Sequence, residues 1–253
     1  MRFASLGSGS RGNGTLVSES DTCVLIDCGF SEPETCRRLA RLGKIPGDLD
    51  AIIVTHEHSD HIKGVARLAE KYSIPVWMSH GTHEQSSDSY ARLHLIHGHD
   101  VFEINSLEIE PLTVPHDARE PLQFVFGNGD VRLGILTDTG VSTPHIESML
   151  YGCEALLLEC NHDTDMLMKG SYPEFLKQRV GGSQGHLSND QAAELLRQID
   201  HSSLQHVVAA HLSDKNNTAE LARRALSEAI GCSKDWIQIA EQGSGLPWLE
   251  ISH

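Results

Sequence analysis

A mixed α/β fold is predicted by this sequence, and three observations predict it. Short apolar runs rich in β-branched residues have strand length, while other segments carry apolar residues at spacings near three and four, the period of an amphipathic helix. The two kinds interleave along the chain instead of falling into separate blocks. Several of the strand-like runs stop at His, Asp or Glu just where a loop should begin, which is how an α/β scaffold holds a rigid metal site.

In chain order, RFASLG and TLVSE flank the glycine-rich GSGSRGNG, and CVLIDCG carries Asp27. AIIVT ends at Thr55, PVWMS follows, and LEIEPLTV leads to His116. LQFVFGN and VRLGILTD form the next pair, the latter reaching Asp138; ALLLEC contains Glu159, HVVAAH ends on His211, and WIQIAEQ comes last. Helices are predicted over PETCRRLARLG, IKGVARLAEKY, TPHIESMLYG, YPEFLKQRV, SNDQAAELLRQI and TAELARRALSEAI, with Ser188 or Asn189 as the N-cap of the helix that follows His186. No Pro-rich or Ser-rich tract, like-charge run or repeat divides the chain, so a single domain over residues 1–253 is expected.

Composition narrows the partners. The formal net charge of −15 opposes nonspecific coating of a polyanion by a long-range field. A nuclease is still compatible, because divalent cations invert the local electrostatics of a carboxylate-rich pocket. The opening MRFASLG reads as a strand and not as a leader, and no apolar run reaches membrane-spanning length, so a cytoplasmic location is expected. Cys23, Cys28, Cys36, Cys153, Cys160 and Cys232 show no Cys-x-x-Cys pairing and read as reduced packing residues.

The densest chemical signal is HEHSDH after AIIVT. His56 and His58 lie two apart, so extended backbone points both imidazoles to one side, and Asp60 and His61 follow as the chain turns. Imidazoles and a carboxylate suit zinc, iron or manganese, whereas a merely solvated loop requires no such order.

THEHSDH, the His of TVPHDA, the Asp of LTDTG and the His of VVAAHLS stand in the order of the ligand motifs of the metallo-β-lactamase superfamily, which the chain resembles over nearly its whole length. Within it, LGSGSRGNGTLV, LIDCG, LLLECNHD, GHLSND and HLSDKNN resemble the WalJ (YycJ) group of small phosphodiesterases and exonucleases. The resemblance implies an αββα sandwich with the site where the strands of both sheets end. It implies two divalent metal ions (Zn, Mn or Fe): His56, His58 and His116 on one, Asp60, His61 and His211 on the other, and Asp138 between them. Singly, His116 and Asp138 would be an ordinary turn histidine and a turn aspartate.

GHLSND also resembles the Gly-His-Ser-Thr stretch of tRNase Z, which implies that His186 donates to the leaving oxygen; Asp60, of the HEHSDH run, is expected to share in catalysis. The plain alternative is a surface histidine beside a helix cap. In tRNase Z a carboxylate lies three residues before the bridging aspartate; Ile135 stands there in this chain, so the orienting partner must come from elsewhere, and Glu159 is the candidate. Asp27 is expected to orient a ligand. The GSGSRGNG loop has two readings, which are compatible: an anion cradle using its amides, Ser8, Ser10, Asn13 and the Arg11 charge, and a tight hairpin whose glycines supply positive φ. His162 is expected to contact substrate. His80, His83, His94, His97, His99, His145, His201, His206 and His253 are read as exposed turn residues.

These readings imply a phosphodiester hydrolase acting on nucleic acid ends or on a small phosphodiester. Thioester or lactam hydrolysis by the same core is the second class, weakened because WIQIAEQGSGLPWLEIS reads as strands where a glyoxalase II would carry a helical region. A metal-binding protein without catalysis is the third, opposed by the complete ligand series together with His186. No β-CASP insertion fits between Asp138 and His211, and no tRNase Z arm is evident.

Overall fold

The computed structural model describes residues 1–252. The first half of the chain forms β1 (Arg2–Gly7), β2 (Gly14–Glu19), β3 (Thr22–Ile26), β4 (Ala51–Ile53), β5 (Val76–Ser79) and β6 (Leu93–Ile96), with helices α1 (Glu32–Arg41), α2 (Ser59–Ile62), α3 (Val65–Tyr72) and α4 (His80–Ser86). The second half forms β7 (Phe102–Ile104), β8 (Leu107–Thr113), β9 (Leu122–Gly127), β10 (Arg132–Leu136), β11 (Ala155–Glu159), β12 (His206–Ala210) and β13 (Gln238–Ile239). Its helices are α5 (Pro144–Leu150), α6 (Thr164–Lys169), α7 (Glu174–Val180), α8 (Asn189–Gln198) and α9 (Ala219–Ile230), and β14 (Leu246–Glu250) closes the series.

The strands make two seven-stranded sheets, ordered β14-β1-β2-β3-β4-β5-β6 and β13-β12-β11-β10-β9-β8-β7. In each, antiparallel hairpins give way to a parallel block, β3 to β6 in one and β10 to β13 in the other. Parallel strands need helical crossovers that cover the sheet, and the burial pattern follows. Phe3, Val24 and Ile53 of the first sheet meet Phe124, Leu133, Leu157 and Val208 of the second in a central apolar layer. The outer face of the first sheet packs on α1 and α3 through Leu25, Ile52, Leu39 and Leu68. That of the second packs on α5, α8 and α9 through Leu156, Val207, Ile146, Leu196 and Leu226. The layering is the expected αββα sandwich.

Several elements depart from the sequence reading. IKGVARLAEKY yields α3 only from Val65 on, after Gly64, while its first residue, Ile62, ends the separate short α2 that begins within HEHSDH. A Cβ at Gly64 would lie 2.0 Å from the Phe30 carbonyl oxygen, and one at Gly29 would lie 1.7 Å from that of Asp60. Only glycine permits this approach, and it seats the HEHSDH loop against the chain following β3. WIQIAEQ yields a short 3-10 turn and the two residues of β13. The helices α4 and α6 and the strands β6 and β7, not anticipated from sequence, are short and half-exposed, so neither period extends far enough to show.

Candidate metal centre

Parallel strands of both sheets end on one edge, and the polar residues anticipated from sequence gather there. Asp27 follows β3, His56 follows β4, Asp138 follows β10, Glu159 ends β11 and His211 follows β12. Asp27, Asp138 and His211 take φ values of 60°, 53° and 56°. Left-handed backbone at a non-glycine residue costs about 1–3 kcal/mol and persists where the surroundings over-determine it. Here it turns the side chain back across the strand end instead of letting the residue continue the sheet.

Among the described residues, ligand atoms converge in four overlapping groups, one of which joins Asp138 and His211 to Glu159 and His186. Those of His56, His58 and His116 lie within 4.8 Å of one another, as do those of Asp60, His61 and His211, and Asp138 joins His56 and His61 in an overlapping set. The remote ring nitrogens are already engaged: His61 Nδ1 lies 2.7 Å from Asp27 Oδ2, His56 Nδ1 2.9 Å from Thr55 Oγ1, His116 Nδ1 3.1 Å from the Gly185 carbonyl and His211 Nδ1 3.1 Å from Glu159 Oε1. Those contacts place the proton on Nδ1 and leave each Nε2 lone pair facing inward. His58 turns the other way and brings Nδ1 to 3.3 Å from His116 Nε2. His56 Nε2, His211 Nε2 and Asp138 Oδ2 are buried without a hydrogen-bond partner. Orphaned acceptors at the centre of such a set fit divalent cations bound by nitrogen and oxygen.

Charge supports the same reading. Burial works against ionising Asp138, yet His211 and His61 hold its carboxyl below the ordinary range. Burial also opposes charging His211, but Asp138, Asp60 and Glu159 together push it up to about 10. His56, fully enclosed and ringed by other imidazoles, is held well below its ordinary value. The carboxylates therefore retain protons on neighbouring imidazoles, which a cation would displace.

His186 lies beside this set, and Glu159 meets it. Its Nδ1 is 2.8 Å from Glu159 Oε1 and 3.5 Å from Asp138 Oδ1. Glu159 is fully buried; its Oε1 faces both His186 and His211, while Oε2 accepts from the Thr139 and Leu187 amides. Burial lowers the His186 pKa, but Glu159 and Asp138 outweigh it and raise the net value. His186, Asp60, Asp138 and His211 line one open cleft of about 330 Å³.

Residues 22–211 match the family model of the β-lactamase superfamily domain. The chain belongs to the metallo-β-lactamase superfamily. It is 34% identical to exodeoxyribonuclease YycJ of Bacillus anthracis over 91% of this chain and 89% of that one. It is likewise 34% identical to exodeoxyribonuclease WalJ of Streptococcus pneumoniae, over 89% and 87%. In fold it is similar to the metallo-β-lactamase fold protein YhfI of Bacillus subtilis, with a TM-score of 0.77, 15% identity and coverage of 98% and 99%. A superfamily member with this site is a metal-dependent hydrolase.

Other expectations about the superfamily site are redistributed. The glycine-rich loop joins β1 to β2, and its amides are spent internally: Gly9 N donates to Asn13 Oδ1, Arg11 N to Gln242 Oε1, Gly12 N to the Gly9 carbonyl and Asn13 N to the Asp60 carbonyl. That is the geometry of a tight hairpin. Ser8 and Asn13 are buried and serve the ligand loops; Ser8 Oγ accepts from the His211 amide, and Asn13 Nδ2 lies 3.1 Å from His61 Nε2. Ser10 alone of the three lines the cleft. Arg11 is exposed and paired with Asp214. His162 is absent from the cleft and borders a second cavity behind α7.

Among the remaining histidines, His97 and His99 are exposed in a loop, but His80 and His83 lie in α4, His145 in α5, His206 in β12 and His94 in β6, stacked 4.1 Å from Trp77. His201 is half-buried, its Nδ1 3.1 Å from the Ile199 carbonyl. His253 lies outside the described residues. All six cysteines are free, four of them buried. Three residues beside the ligand set had no site role from sequence: Asp117 and Arg179 line the cleft, and Thr55 is buried behind it. Thr55 Oγ1 contacts both carboxylate oxygens of Asp27; Asp117 Oδ1 lies 3.6 Å from His116 Nε2, and Arg179 holds Asp117 at 2.5 Å. Immediate adjacency to a ligand is the one signal that marked Thr55 and Asp117.

Proposed function

We propose that this chain is a binuclear phosphodiester hydrolase that removes nucleotides from DNA or RNA ends. One observation carries the reading: two ligand groups joined through Asp138 open on the same cleft as His186, whose ring is tied by Glu159. Divalent cations held there, Zn, Mn or Fe, supply Lewis acidity and a lowered pKa for water. Asp138 and the two histidine groups bind and orient. His186 has its Nδ1 committed to Glu159, which leaves Nε2 to hand a proton to the leaving oxygen. Glu159 keeps that proton available by stabilising the charged ring. The polar cleft is short and carries one arginine among its lining residues, Arg179, already paired with Asp117. A strand end fits it better than a long duplex, which would require many phosphate contacts. The names of the similar exodeoxyribonucleases support DNA as the polymer, and six free cysteines support a reducing, cytoplasmic setting. Among the described residues no helix is long and apolar enough to cross a membrane.

The test uses one metal-loaded preparation with linear 5′-phosphorylated DNA, covalently closed circular DNA, end-labelled RNA, a small phosphodiester and a thioester, each with and without EDTA. Progressive loss of the linear substrate with survival of the circle is expected, with activity abolished by EDTA. Equal cutting of line and circle would refute end dependence. Rapid thioester hydrolysis beside inert nucleic acids would replace the reading with the second class.

A further inference from the structure

α7 forms one wall of the metal cleft, which Leu176, Arg179 and Val180 line. Its last turn is fixed against the His186 segment. The His186 amide donates to the Val180 carbonyl at 2.9 Å, and a Cβ at Gly185 would lie 2.2 Å from the Arg179 carbonyl oxygen, an approach that only glycine permits. Arg179 and His186 are therefore placed by the same short stretch of backbone.

Arg179 carries the one permanent positive charge among the residues lining the cleft, in a chain of net charge −15. Its Nε donates to Asp117 Oδ2 at 2.5 Å, and Asp117 Oδ1 lies 3.6 Å from His116 Nε2 and 3.9 Å from His58 Nε2. The guanidinium thus stands one carboxylate away from the ligand set. Its side chain is 59% exposed, and among the described residues no protein group engages its two amino groups. A fork anchored at Nε with both amino groups open is disposed to hold a phosphate.

Phe175 precedes Arg179 by four residues, so the two share a helix face with Cβ atoms about 5–6 Å apart. The Arg179 stem leans back over that preceding turn. Phe175 is 72% exposed, more than any other large hydrophobic side chain among the described residues. A lone exposed apolar residue is ordinary on a surface, but packing gives no reason for this one, since α7 buries none of its residues. Its ring stands in water between two residues of the cleft wall, Leu176 beside it and Arg179 one turn on. An aromatic face accepts any base by stacking, and a guanidinium next to it accepts the backbone.

We infer that α7 guides the substrate strand, with Arg179 on the phosphate that adjoins the scissile one and Phe175 stacked on an unpaired base of the same strand. The inference rests on the nucleic-acid reading above and adds to it how the strand is held. Such a grip is indifferent to base sequence.

Two measurements test it. The first compares cleavage of a 5′-phosphorylated oligodeoxynucleotide with that of methyl p-nitrophenyl phosphate, which has neither a nucleobase nor a second phosphate. In Phe175→Ala the preference for the oligodeoxynucleotide should fall about 10–100-fold, the worth of one stacked base, and the loss should sit in KM and not in kcat. Phe175→Trp should keep the preference. Abasic residues placed one position at a time should reproduce that loss at one position in the wild type and add nothing there in Phe175→Ala. Arg179→Gln should reduce the slope of log KM against log salt by about 0.7, one phosphate contact on a single strand. Equal losses on both substrates, or no loss on either, overturn the inference.

The second measurement does not depend on turnover. In zinc-loaded Phe175→Trp, added oligodeoxynucleotide should quench indole fluorescence beyond the change seen in the wild type, and an oligomer of abasic residues should not. No added quenching overturns the guide. Quenching by a nucleic acid that the protein leaves intact retains the guide and removes the nuclease reading.

Discussion

Glu159→Gln probes the junction of metal and proton chemistry. Glu159 Oε1 takes contacts from His186 Nδ1 and His211 Nδ1 while Oε2 accepts two backbone amides. A glutamine presents one acceptor and one donor. If its carbonyl serves the amides, its NH₂ faces two imidazole N–H groups and forces them to the other tautomer, placing a proton on His211 Nε2 where a cation would bind. If the amide flips, the Thr139 and Leu187 N–H groups lose their acceptor, at about 1–3 kcal/mol for each buried group left unsatisfied. Either way, metal affinity on the Asp60–His61–His211 side should fall about 10–100-fold, the usual loss for an orienting partner. Turnover should fall by about 10²–10⁴-fold because His186 loses the charge that keeps it protonated. Chelator competition gives the affinities, and single-turnover cleavage at saturating metal separates the second loss from the first. Glu159→Gln with both metals held at wild-type affinity and unchanged turnover would refute this account of the site.

Other outcomes follow from the same geometry. Asp138→Ala should disturb both cation sites, so elemental analysis of fully loaded protein should fall from two metals per chain; one metal in the wild type, with Asp60 and His211 unliganded, would sink the binuclear assignment. His186→Ala should keep its metals while cleavage slows by about 10²–10⁴-fold; metal loss would make it a ligand, and unchanged turnover a bystander. Thr55→Val removes the hydroxyl that links Asp27 to His56, and should lower the melting temperature by about 2–8 °C for a loss of roughly 1–2 kcal/mol, a change calorimetry will show or refute. In metal-stripped protein, His211 has a folded pKa of about 10, above its ordinary 6.5. Its contribution to stability is therefore complete below pH 6.5 and lost as pH rises toward 10; a melting temperature that climbs across that window contradicts the assigned sign.

The densest part of the candidate ligand set was legible locally. HEHSDH concentrates chemistry that no structural role requires, whereas His116, Asp138 and His211 stand at or after the ends of strand-like runs and became candidate ligands only through the order of motifs that the superfamily resemblance supplies. The αββα layering came through the resemblance those motifs carry. Glu159 was legible only as a strand-end carboxylate; that its two oxygens divide between two imidazoles and two amides is a fact of the fold. The short α4, α6, β6 and β7 escaped because a few half-exposed residues show no period.

By itself, the sequence determined which residue types were available, their order, and that strands would deliver them to loop starts, since alternation and helical period are local properties of the chain. Tertiary structure decided how they are used. Ser8 and Asn13 have the composition of an anion loop, but packing against Asp60 and His211 turned them into supports, because a buried polar group must take the partners its neighbours offer. His162 follows a strand as the ligands do, yet α7 stands between it and the cleft. Whether a histidine binds a metal, donates a proton or faces a different cavity depends on which nitrogen the surrounding fold occupies, and residues as far apart as His116 and Gly185, 69 positions, settle that.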